Sequence, residues 1–401
     1  MHVIQQNFKN LFNKLTQHNI INLLSGVLVI LLLCCTLFLF PIKHAYLRFL
    51  VYVAISVLIA RQFLLGIKLR KSLRLKYEVL PWLPFALSIG ILTIIHDYDG
   101  YSIYVKCILL LTLCSFALQS YCIREKVIIF VLAASLALCS SSIIAYVLYY
   151  GIGTNILGIN KNTLLCGMTL IFSTVLGALF SSFRSYSKEE GIALSICFIL
   201  YLSALSLSEV RTGILGLIVL VLLGIVVTKQ SVKIAFALLI PLMLLLISFI
   251  VSGRLQQGLH DLELWSSGTP SSSWGIRIEL WKLAFNGFME KPLSGWGYKP
   301  FDEIISSGIP WIVPSFRAAH FHSDFFNNLV SNGLIGSLGW LTTIVLLFKS
   351  IKNNSALLAL LLTSLAMGIS ECIWFDNKTS LPIIVCLWIL FSTTNKNSAK
   401  E

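Results

Sequence analysis

The sequence is poor in charge and lacks the motifs of ATP-driven and redox chemistry. Only 12% of its 401 residues are charged, against 57% that are hydrophobic, and the mean hydropathy is +0.86. No water-soluble domain needs so much apolar material. The sequence has no G-x-x-x-x-G-K-[ST] motif and no dinucleotide-binding fingerprint, and none of its ten cysteines forms a C-x-x-C pair. These absences argue against ATP-driven work, and they make the cysteines packing residues, not a disulfide frame or a zinc site.

Apolar runs long enough to cross a bilayer recur along the whole chain. About 20 apolar residues cross the hydrocarbon core of a membrane. The runs therefore predict an all-α polytopic membrane protein with about twelve transmembrane helices, at about 20–41, 46–66, 79–96, 103–122, 127–150, 163–183, 191–208, 212–228, 234–251, 324–348, 355–371 and 381–394. The block 191–228 is too long for one helix and is expected to turn back at 208–212. We expect nine helices in 1–251, a large loop with amphipathic helices at 252–322, and three helices in 323–401.

The lysines and arginines are distributed unevenly over the segments between these runs. With a cytoplasmic N-terminus, eighteen of the 30 fall in inside segments, six in short outside segments and six in the long loop. Because positive residues of short loops concentrate on the cytoplasmic side, both termini are predicted to be inside and the long loop outside. The net charge of +13 is dispersed over many loops, which argues against nucleic acid as a partner.

The long loop contains one segment with helical periodicity, residues 274–290. Its apolar and polar residues each recur three and four positions apart. The apolar stripe consists of Ile278, Trp281, Phe285 and Phe288, and the polar stripe of Glu279, Lys282, Asn286 and Glu290. Arg277 leads the apolar stripe, so its guanidinium is expected to point toward the protein or the membrane. There it needs an anionic partner, either a ligand or an ion pair, unless it snorkels to water.

A histidine and two glycines stand at regular spacing near the outer end of a late apolar run. On a continuous α-helix eleven residues make about three turns and fourteen about four, so His322, Gly333 and Gly336 are expected to share one face. Glycines on such a face let a neighbouring helix approach closely. The spacing fits a titratable group at a fixed depth beside a packed bundle. It fits an interfacial histidine ahead of an ordinary glycine-bearing span equally well.

Two arginines and this histidine lie at the predicted outer membrane boundary. Arg211 stands at the tip of the turn 208–212, and Arg277 lies in the loop. Guanidinium binds phosphate oxygens in a planar, bidentate manner and keeps its charge. Together with His322, the two arginines suggest a site for a doubly charged phosphate-type group. A local ion pair with Glu209 or a lipid headgroup contact explains Arg211 equally well.

The segment from His320 to Asp324 also invites a metal interpretation, through His320, His322 and Asp324. Residues two positions apart do not share a helix face, so these side chains would converge only on an extended backbone. The sequence contains no further cluster of histidine or cysteine that supplies ligands. It therefore predicts neither a metal nor another cofactor.

With these residues in view, the sequence resembles the bacterial O-antigen ligases of lipopolysaccharide assembly, within the wider group of O-antigen ligase and polymerase-like membrane glycosyltransferases. In architecture the resemblance covers most of the chain. It is sharpest over 205–217, 275–298, 320–340 and 368–384. The histidine motif of that family is His, a small polar residue, nine variable residues, then Gly with a second small residue three positions on. His322, Ser323, Gly333 and Gly336 fit it fully.

The family's arginines fall on Arg211 and Arg277, and Met367–Glu371 resembles a late segment that carries an acidic residue. One departure concerns the residues beside the first arginine. Many relatives have Ser or Thr before it and Gly or Ala after it, whereas Val210 and Thr212 flank it here.

The resemblance implies glycan transfer at the periplasmic face of a Gram-negative inner membrane, among the lipids of that membrane. The donor would be an undecaprenyl-diphosphate-linked O-antigen, and the acceptor an outer-core sugar hydroxyl of lipid A–core. Arg211 and Arg277 would grip the diphosphate and stabilise its departing charge without a divalent metal or ATP. His322 would be the general base in a single inverting displacement, or bind a phosphate as imidazolium. The sequence leaves these two roles of His322 open.

Two other functions remain open. An O-antigen polymerase would use the same donor and topology with a second lipid-linked glycan as acceptor, although the histidine motif favours a ligase. A transporter or flippase of lipid-linked sugars would carry ionisable groups in mid-span and discontinuous helices. The predicted spans are nearly free of charge, and the polar residues gather at one face, which disfavours a transporter.

Overall fold

The computed structural model describes residues 80–96, 125–156, 159–182, 186–227, 253–270, 272–298, 300–311, 318, 320–351 and 354–375. The spans predicted at about 20–41, 46–66, 103–122, 234–251 and 381–394 lie outside these residues. The total of about twelve spans therefore stays a prediction.

The described chain is mostly helical. Its helices are α1 (Leu83–His96, after a 3-10 turn at Leu80–Trp82), α2 (Glu125–Tyr150), α3 (Lys161–Ser182), α4 (Lys188–Ser208), α5 (Arg211–Val227), α6 (Arg254–Ser266), α7 (Ser273–Glu290), α8 (Pro300–Ser306), α9 (Asp324–Ile351) and α10 (Ser355–Gly368). A hairpin of two-residue strands, β1 (Asn155–Ile156) antiparallel to β2 (Ile159–Asn160), joins α2 to α3. This hairpin is the departure from an all-α fold within the described part of the chain.

Four of the described helices are long and apolar enough to cross a membrane. They are Leu132–Tyr150 within α2, Lys161–Leu179 within α3, all of α4 and all of α9. The apolar helices α1, α5 and α10 are shorter. The chain is thus a helical membrane protein, as its composition predicts.

The predicted turn at 208–212 is confirmed. α4 ends at Ser208, and Glu209 adopts a left-handed conformation (φ 57°), which reverses the chain before α5 begins at Arg211. At its other end α4 begins with a capping box, in which Ser187 and Glu190 each accept a hydrogen bond from the other's backbone amide. Such a box satisfies two amides that lack a partner in the first helical turn.

α3 lies at the centre of the bundle and packs against α2, α4, α5 and α10. Small residues allow two of the closest approaches. At Gly177 of α3 a Cβ would lie 2.7 Å from the carbonyl oxygen of Ser355 in α10. At Gly216 of α5 it would lie 2.9 Å from Met367 Sδ of α10. Membrane helices associate largely through such close packing, since lipid is as apolar as their side chains.

α9 is not the continuous helix that the glycine spacing predicts. Gly333 has φ 57° and ψ −159°, so the helix breaks there, and His322 lies before the helix with φ 48°. In an unbroken helix the amides of 334 and 335 would bond to the carbonyls of 330 and 331. Instead, both sides of the break bond to the turn that follows α7. The amides of Leu334 and Ile335 donate to the carbonyls of Pro292 (2.8 Å) and Leu293 (3.1 Å). In return, the amides of Trp296 and Gly297 donate to the carbonyls of Val330 (2.9 Å) and Ser331 (2.8 Å).

The expectation that His322, Gly333 and Gly336 share one helix face is therefore wrong. Gly333 opens the helix for the turn 292–297. Gly336 lies below the break, where a Cβ would lie 3.1 Å from Leu92 of α1. Only Gly336 has the predicted role of letting a neighbouring helix come close.

Residues 273–290 form the predicted loop helix, α7, but its packed face differs from the apolar stripe. Leu280, Leu283, Ala284 and Gly287 are buried, whereas Phe285 is 51% exposed. Glu279 of the polar stripe is buried, and it accepts hydrogen bonds from Trp265 and Lys282. Periodicity shows that a helix is amphipathic, but the neighbours α8 and α9 decide which side of it is covered. The buried side forms a small second core with Trp296, Phe301, Ile304, Phe321 and Val330.

Candidate active site

A single buried carboxylate, that of Glu371, connects side chains from four separate parts of the chain. Glu371 follows α10 and is 6% exposed. Its Oε1 lies 2.9 Å from Nδ1 of His322, just before α9. Its Oε2 lies 3.6 Å from a guanidinium nitrogen of Arg277 in α7 and accepts a 3.4 Å hydrogen bond from Nδ2 of Asn162 at the start of α3. These contacts place all four residues at one end of the helix bundle.

The backbone before α9 holds His322 against this carboxylate. The side chain of Phe321 is fully buried in the second core, and its carbonyl accepts a 3.1 Å hydrogen bond from the indole of Trp281 in α7. Trp281 in turn stacks on Phe326, with 5.5 Å between ring centroids. The left-handed conformation of His322 then turns its ring toward the same side as that of His320, whose Nδ1 accepts a 3.3 Å bond from the His322 amide.

Asp324 holds the opposite segment, 371–375, in place. It is buried, and its Oδ1 accepts backbone hydrogen bonds from Ile373 and Trp374 at 2.9 Å and from Phe375 at 3.3 Å. Asp324 lies two residues after His322, and the first of these amides lies two residues after Glu371. The two segments are thus tied together beside the His322–Glu371 contact, which makes Asp324 a positioning residue.

The electrostatics of the cluster keep Glu371 ionised. Burial by itself raises the pKa of this carboxyl, which lies beyond the end of α10. The hydrogen bond from His322, the attraction of the His322 and His320 rings when they are protonated, and the charge of Arg277 outweigh burial and lower the pKa to about 2. An ionised carboxylate only accepts hydrogen bonds, so Nδ1 of His322 carries the proton in their contact. In the neutral ring Nε2 then carries the lone pair.

Arg211 lies beside this cluster and is held by the long loop. Its guanidinium is 3.9 Å from a carboxylate oxygen of Asp261 in α6. A Cβ on Gly258 would lie 3.9 Å from both the Arg211 guanidinium and the indole nitrogen of Trp274. Arg277 lies on the ring of the same Trp274, 6.0 Å from its centroid, and its charge is close enough to act on Arg211. The two arginines therefore lie near each other, each beside one carboxylate.

The structure brings together most of the residues that the sequence singled out. His322 and Arg277 meet at Glu371, which answers the expectation that Arg277 needs an anionic partner. Ser323 of the histidine motif is buried, and its carbonyl accepts the hydrogen bond from Asn327 that begins α9.

Two contacts of the cluster were not predicted. Glu371 was noticed only as the acidic residue of a late segment, and its pairing with His322 across 49 positions has no local sequence signal. Asn162 has none either, because its role depends on where α3 begins relative to α10. Both contacts are products of the tertiary packing.

The sequence suggests His320, His322 and Asp324 as a metal trio but does not favour it, and the structure separates Asp324 from the two histidines. Asp324 points to backbone amides, whereas His320, His322 and Glu371 place one ligand atom each within 4.8 Å of one another. The left-handed backbone at His322, not an extended one, brings the two imidazoles together. Within the described part of the chain, these three residues could hold a metal ion.

Fold and site together define a helical membrane protein in which the partly exposed Arg277 and His322 meet the buried Glu371 at one end of the bundle, beside a long loop between helices. Residues 196–341, just over a third of the chain, match the model of the family described as O-antigen ligase. This match supports an O-antigen ligase family assignment, and that family suggests a function of the O-antigen ligase or polymerase type. The matched region contains Arg211, Arg277, His322, Gly333 and Gly336. None of the curated proteins matches the chain.

Proposed function

We propose that the protein is an O-antigen ligase of a Gram-negative inner membrane, with cytoplasmic termini and a periplasmic active site. It transfers O-antigen from undecaprenyl diphosphate to an outer-core sugar hydroxyl of lipid A–core. The observation that carries this proposal is the 2.9 Å contact between His322 Nδ1 and Glu371, with Arg277 on the other carboxylate oxygen. This His322–Glu371 contact resembles the arrangement in which a carboxylate orients a catalytic histidine.

In this mechanism His322 is the general base. Its Nδ1–H donates to Glu371, so Nε2 faces the acceptor with a lone pair and takes the proton of the sugar hydroxyl. The acceptor oxygen forms a bond to the anomeric carbon of the donor as the bond from that carbon to the diphosphate oxygen breaks. The carboxylate of Glu371 stabilises the imidazolium that results. Attack opposite the leaving group inverts the anomeric centre.

Arg277 and Arg211 stabilise the departing diphosphate. A guanidinium has five N–H donors, so Arg277 can hold Glu371 with one nitrogen and still bind phosphate oxygens with others. The side chain of Arg211 is 25% exposed, and its contact with Asp261 is a long one at 3.9 Å, which a phosphate can replace. Two fixed positive charges supply the stabilisation that a divalent cation gives in many glycosyltransferases, and the activated donor removes the need for ATP.

The test compares ligation by variants produced at wild-type levels in the membrane. His322→Ala and Arg277→Ala should each abolish capped lipopolysaccharide on a gel. His260 in α6 is an exposed histidine beside a glutamate, Glu263, and His260→Ala is the matched control that should ligate normally. Normal ligation by both His322→Ala and Arg277→Ala would overturn the assignment.

His322→Arg separates the two roles that the sequence left open for this histidine. Arginine keeps a positive charge for a phosphate but cannot act as a base at working pH. Loss of ligation in an inserted, stable His322→Arg variant supports the general base. Retained ligation would instead make His322 a phosphate ligand.

Strain phenotype distinguishes this function from its alternatives. A strain without a ligase accumulates polymerised, lipid-linked glycan, whereas a strain without a polymerase makes lipopolysaccharide with single-unit caps. A strain without a flippase makes neither. Deletion of this gene should give the first phenotype.

A further inference from the structure

We propose that His320, His322 and Glu371 form a zinc-binding site, and that a bound zinc ion switches the active site off. The binding part of this proposal is independent of the proposed function, and the inhibition part rests on it. In this view zinc is an inhibitor and not a cofactor of the reaction.

The geometry of the three side chains suits a small divalent cation. Their ligand atoms all lie within 4.8 Å of one another, with Oε1 of Glu371 at 2.9 Å from His322 Nδ1 and 4.0 Å from His320 Nε2. The two imidazole rings meet edge to face, with 4.5 Å between centroids. In a tetrahedral zinc site with bonds of about 2.0–2.2 Å, ligand atoms are about 3.3 Å apart. Side-chain adjustments of about an ångström therefore close the site.

The chemistry of the donors points to zinc in particular. Two imidazoles and one carboxylate are the three protein ligands of an open zinc site, whose fourth position holds water or another ligand. Calcium and magnesium prefer oxygen ligands throughout. Asn162 and Arg277 contact the other oxygen of Glu371, so they orient its carboxylate with Oε1 toward both imidazoles.

Arg277 also limits the affinity of this site. Its guanidinium lies 3.6 Å from Oε2 of Glu371, and its positive charge repels a cation held on Oε1. Zinc should therefore bind reversibly here, more weakly than in a four-ligand structural site. A chelator such as EDTA should remove it without unfolding the protein.

Bound zinc would inhibit by changing which nitrogen of His322 carries the proton. In the metal-free site Nδ1–H donates to Glu371, and Nε2 has the lone pair that the base needs. Zinc on Nδ1 of His322 takes a lone pair at that nitrogen, so the single proton of the neutral ring moves to Nε2. The ring then faces the acceptor hydroxyl with a donor and no longer takes up its proton. Zinc on Nε2 of His320 likewise moves the proton of that ring to Nδ1, and the hydrogen bond from the His322 amide is given up. The metal also displaces Glu371 from its hydrogen bond.

His320→Asn is the variant that isolates the metal site. The Oδ1 of asparagine can replace Nδ1 of His320 as acceptor for the His322 amide, but asparagine has no counterpart of the Nε2 ligand. His260→Asn is the matched control, because His260 lies 3.6 Å from Glu263 in an exposed His–Glu pair. The difference between the wild type and His260→Asn measures how much an exposed surface histidine contributes to zinc binding.

The binding experiment titrates zinc chloride into the untagged full chain in detergent, against a fluorescent zinc chelator. The wild type and His260→Asn should bind one equivalent with equal affinity, and His320→Asn should bind it at least about tenfold more weakly, since even outer-shell partners contribute that much. Equal zinc affinity in His320→Asn and the wild type would overturn the site, whatever the protein's activity is.

The functional experiment adds zinc to a ligation assay with purified protein. Zinc should stop ligation by the wild type, and EDTA should restore it. Relative to its own rate without zinc, His320→Asn should require about tenfold more zinc for inhibition. Undiminished ligation by zinc-saturated wild type would overturn the inhibition while leaving the proposed function intact. Absence of ligation even without zinc would instead contradict the proposed function, and the titration would still decide whether the site exists.

Discussion

Gly333→Ala should destabilise the protein strongly, because this glycine combines a special backbone conformation with a crowded position. At φ 57° and ψ −159° the backbone lies in a region that essentially only glycine occupies, and other residues pay about 1–3 kcal/mol there. An added Cβ would also overlap the carbonyl of Leu293 and lie 2.6 Å from the amide nitrogen of Gly295. The turn 292–297 must then withdraw from the break in α9.

The size of the effect follows from the hydrogen bonds that this turn makes. Four backbone bonds join the turn to the two sides of the break. Each contributes about 1 kcal/mol, so losing two of them and straining the backbone costs about 3–5 kcal/mol in total. If α9 instead closes into a regular helix, it recovers its own two bonds, but the turn is left with unpaired backbone groups.

Thermal unfolding of the purified protein in detergent, followed by tryptophan fluorescence, measures this effect. Gly191→Ala in α4 is the matched control, since a Cβ there has open space around it. That substitution should leave the melting temperature unchanged or raise it slightly, because alanine favours a helix over glycine by up to about 1 kcal/mol. A Gly333→Ala variant with the melting temperature of the wild type would refute the role that we assign to the break in α9.

Three further predictions concern the cluster around Glu371. Glu371→Gln should reduce ligation by up to about 10⁴-fold at unchanged protein level, which is the loss seen when the carboxylate behind a catalytic histidine becomes an amide. A near-normal rate in a quantitative ligation assay would contradict the inference that Glu371 keeps the proton of His322 on Nδ1. Asp324→Ala should lower both the melting temperature and ligation, because three buried amides lose their acceptor. Asp324→Asn keeps an acceptor oxygen and should retain most of the wild-type stability and ligation. Equal loss in the two variants would count against a positioning role. The lowered pKa of Glu371, about 2 against 4.5, stabilises the fold above about pH 4.5, and this contribution is lost as the pH falls toward 2. The melting temperature of the wild type should therefore drop toward that of Glu371→Gln over this range, and a constant difference between them would disprove the shift.

Several features of the fold were predictable because they depend on local patterns. The apolar block at 191–228 has 38 residues and is too long to cross the membrane as one helix. The chain turns back at the polar segment 208–212, as this length predicts. The periodicity of 274–290 predicted α7, although its covered face depends on α8 and α9. The position of Arg277 on that helix indicated a need for an anion, but it did not identify Glu371.

The sequence alone determined that this protein is a helical membrane protein and that it turns back near Ser208, and it singled out Arg211, Arg277 and His322 as candidate site residues. Those inferences rest on hydropathy, helical period and residue type, which are local properties of a chain. Only the tertiary structure decided that α9 breaks at Gly333 and that His322 pairs with Glu371. Both depend on packing between segments distant in sequence. The turn after α7 replaces the helix's own hydrogen bonds, and the partners of the buried carboxylate lie in α3, in α7 and just before α9.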